Sequence, residues 1–133
     1  MKILLVVIVA LMIAVVLVYF MVLALMRRML RAGARIAVEM AWKKVREHDN
    51  PVLRVVEADK ILDEALRLLG YTGSLGEKLK KAGPRFTNLN AVWAAHKLRN
   101  RLVHELDVKP ADREVDQAVS AFHKALTDLG ARL

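Results

Sequence analysis

With 133 residues, a formal net charge of +8 and no cysteine, the chain holds one small domain at most beside its apolar start, and no disulfide framework. The excess charge is local: residues 27–50 carry seven Lys/Arg against three Asp/Glu, whereas residues 51–133 carry fourteen against eleven. Basicity placed beside an apolar segment suits anionic lipid headgroups, so the overall charge is no argument for nucleic-acid binding.

The chain opens on an uncharged run from Ile3 to Met26, ILLVVIVALMIAVVLVYFMVLALM. At about 1.5 Å per residue it makes a helix of about 36 Å, against a hydrocarbon core of about 30 Å. A secretory signal has a shorter apolar core, about 7–15 residues, ending in a small-residue cleavage site. This run is longer and breaks into Arg27 and Arg28, so residues 1–26 read as an uncleaved transmembrane anchor. Lys2 stands alone before it, while Arg27, Arg28, Arg31 and Arg35 follow it. The positive-inside rule then puts the N-terminus outside and the C-terminal part in the cytoplasm of a single-pass membrane protein.

Residues 27–50 read as a basic juxtamembrane helix to about residue 48. Met29, Ile36 and Met40 repeat at helical spacing, with Trp42 and Val45 on another side. This pattern is compatible with a helix on the lipid surface and with a stalk.

Residues 51–133 read as the globular part. Asn50-Pro51 is an N-cap followed by proline at the first helical position, and Val52, Val55, Leu62, Leu66 and Leu69 share one face up to Gly70. Ser74 and Glu77 have capping-box spacing and open a short helix that ends at Gly83-Pro84. Thr87 or Asn88 caps the next helix. Lys109-Pro110 starts the last one, where Val115, Ala118, Val119, Phe122, Leu126 and Leu129 keep helical spacing to Gly130. There is no strand alternation, hairpin turn or repeat. The expected fold is all-α: a transmembrane helix, then a small antiparallel bundle of three longer helices and one short one.

The helix after Asn88 carries the unusual residues. Lys97, Arg101 and Glu105 make a narrow polar stripe, with apolar faces on either side. His96, Arg99 and Asn100 fall among Leu89, Val92, Trp93 and Val103, and His104 lies at the edge of that face. Arginine among apolar groups is expensive without a partner, and Asp59, on the core-facing side of the first bundle helix, is one. An Asp59–Arg99 pair would satisfy both groups; the alternative leaves Asp59 at the rim of the core, reaching water. The face bearing Val92, Trp93, His96, Arg99 and Asn100 is expected to dimerise, because this helix has more apolar surface than its neighbours cover.

The stretch Arg99-Asn100-Arg101-Leu102-Val103-His104 resembles the signature of the HEPN superfamily: arginine, a polar residue, then histidine a few positions on. In that family it lies on the penultimate long helix of a small all-α bundle, which is its place here. The resemblance covers residues 51–133. It implies metal-independent RNA cleavage, or nucleotide or RNA binding in inactive members, across a homodimer whose motifs face one another. Arg99, Asn100 and His104 are then the catalytic residues, with Asp59 and His96 auxiliary or orienting. A neutral-range histidine suits proton transfer and a guanidinium suits phosphate. No cofactor or metal is implied; the partners are RNA or nucleotide, the membrane, a second copy, and an antitoxin-like regulator. The alternative is a non-catalytic binding or interaction module, in which Arg99 and Asn100 make polar contacts across an interface and His104 satisfies a helix end. The sequence has no Gly-rich phosphate loop and no Gly-x-Ser-x-Gly elbow, which argues against a P-loop nucleotidase and an α/β-hydrolase.

Overall fold

A computed structural model of the protein describes residues 1–27 and 30–133. The described residues form six α-helices and one 3₁₀ turn, with no strand among them. Helix α1, Lys2–Arg27, is long and apolar enough to cross a membrane, and the run Ile3–Val22 buries nothing against the rest of the chain.

The remaining helices are α2 (Ala32–Glu47), α3 (Pro51–Leu68), α4 (Leu75–Ala82), α5 (Leu89–His104) and α6 (Asp112–Asp128), with the 3₁₀ turn at Gly83–Arg85. Their ends follow local chemistry. The Asn50 carboxamide accepts from the Val52 and Leu53 N–H groups at 2.9 and 3.3 Å, satisfying donors that helix α3 leaves free. At α4, Ser74 N–H donates to the Glu77 carboxylate at 2.7 Å and Glu77 N–H donates back to Ser74 Oγ at 3.3 Å. The bonds from the Ser74 backbone and hydroxyl hold the Glu77 carboxyl below its ordinary pKa. Of the two candidates for the α5 cap, Asn88 serves, accepting from Ala91 N–H at 3.0 Å. Helix α6 begins two residues after Pro110, where Glu114 accepts from the Ala111 N–H at 3.1 Å. Gly70 (φ +91°) and Gly130 (φ +101°) take the left-handed conformation that ends α3 and α6.

Within the segment 27–50, α2 is helical as expected and in addition packs against the bundle. Leu30 is buried and its N–H donates to the Leu129 carbonyl at 3.2 Å. Helix α2 then packs into the bundle through Val38, Trp42 and Val45, all buried, and the Trp42 ring meets His123 edge-on with centroids 5.7 Å apart. The physical reason is that α2 is apolar on two opposite faces. The face with the indole supplies the contact area, and Ile36 and Met40 stay exposed. Met29, which the periodicity groups with Ile36 and Met40, and Arg28 lie outside the described residues. Residues 51–133 hold the three longer helices and the short one expected, and α2 joins them as a fourth longer helix.

Polar ties set the directions. Arg54 and Asp116, 3.8 Å apart, join the N-terminal parts of α3 and α6, so these two run parallel. Thr87 donates from its N–H and hydroxyl to Asp128 at 2.8 and 2.9 Å, and Arg101 meets Glu114 at 3.1 Å; α5 is therefore antiparallel to α6. Burial raises the Asp128 carboxyl, but the Thr87 bonds and Lys124 outweigh it and hold it below its ordinary pKa. Helix α2 covers α3 and reaches α6, while α5 packs on both α3 and α6. The order of layers is α2, then α3 with α6, then α5. Val55, Leu62, Leu66, Val92, Phe122 and Leu126 fill the space between them.

Candidate functional site

Asp59 sits on α3 next to Ala58 and one turn before Leu62, all of them buried. A carboxylate there is costly unless bonded, and α5 supplies the partners. Val92, Ala95 and Leu98 pin α5 to the core, which turns His96 and Arg99 toward α3. His96 Nδ1 lies 2.7 Å from Asp59 Oδ1, and Arg99 Nε lies 3.4 Å from Oδ2. Arg99 Nη1 donates to Asn100 Oδ1 at 3.0 Å, and Asn100 Nδ2 lies 3.3 Å from His96 Nε2. The four side chains close a ring.

The partners in the ring restrict which atoms can donate. Arg99 can only donate, so Asn100 must offer it Oδ1 and turn Nδ2 toward the imidazole. In a neutral imidazole Nε2 would then accept, with the proton on Nδ1 facing Asp59. Each contact has one donor and one acceptor when the imidazole is neutral. The Trp93 ring lies edge-on to His96 with centroids 6.1 Å apart, closing one side of the imidazole.

Of the two alternatives for Asp59, the pair with Arg99 is present as an ion pair and the carboxylate is buried, though Arg99 Nε has no hydrogen bond of good geometry. The second oxygen of Asp59 goes to His96, a partner the helix-face reading did not assign. Its signal is nonetheless in the sequence: His96 and Arg99 are three residues apart on one face, and a carboxylate has two oxygens. Arg99 Nη2 makes no hydrogen bond among the described residues, and the Arg99 side chain remains 24% exposed.

His104 stands apart. It is the last residue of α5, is exposed, and has no hydrogen bond or ion pair among the described residues. Asn100, one turn before it, is occupied by Arg99 and His96 instead. Five residues of α-helix separate Arg99 from His104, about 7.5 Å along the axis and about 140° around it. One chain therefore does not present the two side chains in one direction.

The face expected to dimerise is partly used within the bundle: Val92 is buried, and Trp93 is half-buried against the core and α4, where a Cβ at Gly76 would lie 3.5 Å from its ring. What stays on the surface is the C-terminal end of α5 and the turn after it, with Arg99 and Asn100 half-exposed and Val103, His104 and Leu106 exposed. Leu106 is 94% exposed, next to Asp107 in the left-handed region at φ +61°. Among the described residues no group of three or more His, Asp or Glu side chains is placed to hold a metal ion. Comparison of the chain with protein-family models, with curated proteins and with solved structures finds no match.

Proposed function

We propose that the chain is a membrane-anchored, HEPN-like ribonuclease that cleaves RNA without metal, using residues from two copies. In this reading α1 is a transmembrane anchor and the bundle lies in the cytoplasm. The observation that carries it is the ring: Asp59 and Asn100 hold one edge of the Arg99 guanidinium, leaving Nη2 outward on the same helix as an unbonded histidine. Aimed guanidinium N–H groups stabilise charge developing on phosphate oxygens.

The angular separation of Arg99 and His104 calls for a second copy. Paired at the C-terminal ends of α5, two chains bury Val103 and Leu106 and bring two His104 side chains to one cleft. One accepts the 2′-hydroxyl proton as O2′ bonds to phosphorus; the other protonates O5′ as the P–O5′ bond breaks. The products are a 2′,3′-cyclic phosphate and a 5′-hydroxyl. Asp59 and His96 touch no substrate here and act by positioning Arg99 and Asn100.

Purified full-length protein in lipid nanodiscs should cleave single-stranded RNA in EDTA and spare DNA, which lacks the 2′-hydroxyl. His104→Ala should lose about 10²–10⁴-fold in rate while remaining folded. Equal cleavage by the wild type and His104→Ala would reveal a contaminating nuclease. No cleavage by either would favour a nucleotide- or RNA-binding module at the same Arg99 surface. That second reading has its own support: Asp59 already offsets the Arg99 charge, and Asn100 occupies His96 Nε2, so the ring contains no free base.

A further inference from the structure

The outer face of α2 is unaccounted for by the bundle. Ile36 and Met40 are 52% and 63% exposed, opposite the buried Val38 and Val45. Lys43, Lys44 and Arg46 are exposed further along the helix, and Arg31 precedes it. Ile36, Met40 and Lys43 also border a shallow depression with Arg132 and Leu133 of the C-terminus. Glu47, at the far end of α2, is the exposed acid on this side; Glu39 is half-buried, bonded to the Arg132 N–H at 2.9 Å and paired with Arg35.

We propose that this face rests on an anionic bilayer, so that α2 both closes the bundle and docks it flat on the lipid. The inference rests on α1 being an anchor. Chain length supports it: Leu30 is buried in the bundle and bonded to Leu129, only three residues after α1 ends at Arg27. Three residues of chain span at most about 11 Å, so the bundle is held against the membrane surface at the start of α2. Charge supports it as well. Two apolar side chains within a basic fringe match the boundary between headgroups and acyl chains, where cationic residues meet anionic lipid. Because α3 and α6 lie between α2 and α5, docking through α2 turns Arg99, Asn100 and His104 toward the cytosol, free to meet a second copy and RNA.

The chain has no cysteine, which permits single labels on the full-length protein. An environment-sensitive fluorophore is attached to Ile36→Cys, Met40→Cys, Leu11→Cys in α1, or Ser120→Cys, whose site lines the groove between α5 and α6. Each protein is reconstituted into phosphatidylcholine vesicles with or without phosphatidylserine. On the anionic vesicles the labels at positions 36 and 40 should shift to the blue and be shielded from aqueous iodide. Both effects should weaken on neutral lipid or at high salt, while the label at position 120 stays water-like. Water-like labels at positions 36 and 40, with position 11 shielded and the protein resistant to carbonate, overturn the docking and leave the anchor standing. A water-like label at position 11 with extraction by carbonate removes the anchor and the docking together. A blue shift that is indifferent to lipid charge and grows with protein density means that a second copy covers this face, and overturns the lipid assignment.

Discussion

Asp59 shows how a single misplaced-looking charge organises a surface. Its side chain is 5% exposed and bonds His96 with one oxygen while facing Arg99 with the other, so α3 and α5 are joined by two polar contacts inside an apolar layer. Removing one partner of a buried charge pair costs about 3–5 kcal/mol, much of it from the charge left alone. Asp59→Ala should fall at the lower end of that range, about 3 kcal/mol, because Arg99 retains some access to water and can turn outward. His96→Ala should cost less, since the remaining Asp59–Arg99 pair still balances charge. Denaturant unfolding of both variants checks the order, and equal destabilisation would mean that the guanidinium is not held by Asp59. The inward position of Asp59 and its pairing with Arg99 are legible from the spacing of Val52, Val55 and Leu66. The bond to His96 leaves only its three-residue spacing from Arg99 as a signal, which does not decide, because an apolar helix face admits a packed histidine as readily as a bonded one.

At the scale of helices, what could be read from sequence depended on whether a signal was local. Asn50, Ser74 with Glu77, and Asn88 cap helices by reaching two or three residues along the chain, so their roles were written in the sequence. Helix α6 starts two residues beyond Lys109-Pro110 because Glu114 bonds back to Ala111 and fixes its start there. Helix α2 carries no such local signal. Its Ile36–Met40 face and its Val38–Trp42–Val45 face are both apolar, and only tertiary contact with α3 and α6 decides between them. The consequence is measurable. Burying Val38, Trp42 and Val45 contributes roughly 5–8 kcal/mol in transfer terms, comparable with the whole net stability of a small domain. A fragment spanning residues 30–133 should therefore unfold cooperatively. A fragment spanning residues 51–133 should bind a hydrophobic dye and lose its sharp transition. Equal transitions in the two fragments would return α2 to the role of a stalk.

At the scale of the whole molecule, the proposed reading couples a two-dimensional constraint to a site that one copy does not complete. In the proposed arrangement α1 confines the chain to a membrane and α2 sets the bundle's tilt. The C-terminal ends of α5 in two copies then meet by lateral diffusion, at an effective concentration higher than in solution. Under that constraint a weak contact through the exposed Val103 and Leu106 would suffice. The stoichiometry of the cleft provides a test that does not need a dimer structure. If each cleft uses the two His104 side chains in separate proton transfers, a dimer of wild type with His104→Ala is inactive. Random pairing at equal amounts leaves about one quarter of the dimers fully wild-type, whereas independent sites would retain about one half of the activity. Co-reconstitution at fixed total protein should therefore give activity that falls as the square of the wild-type fraction. A linear fall would place both proton transfers within one chain, where the 140° separation of Arg99 and His104 along α5 would have to be bridged by substrate instead.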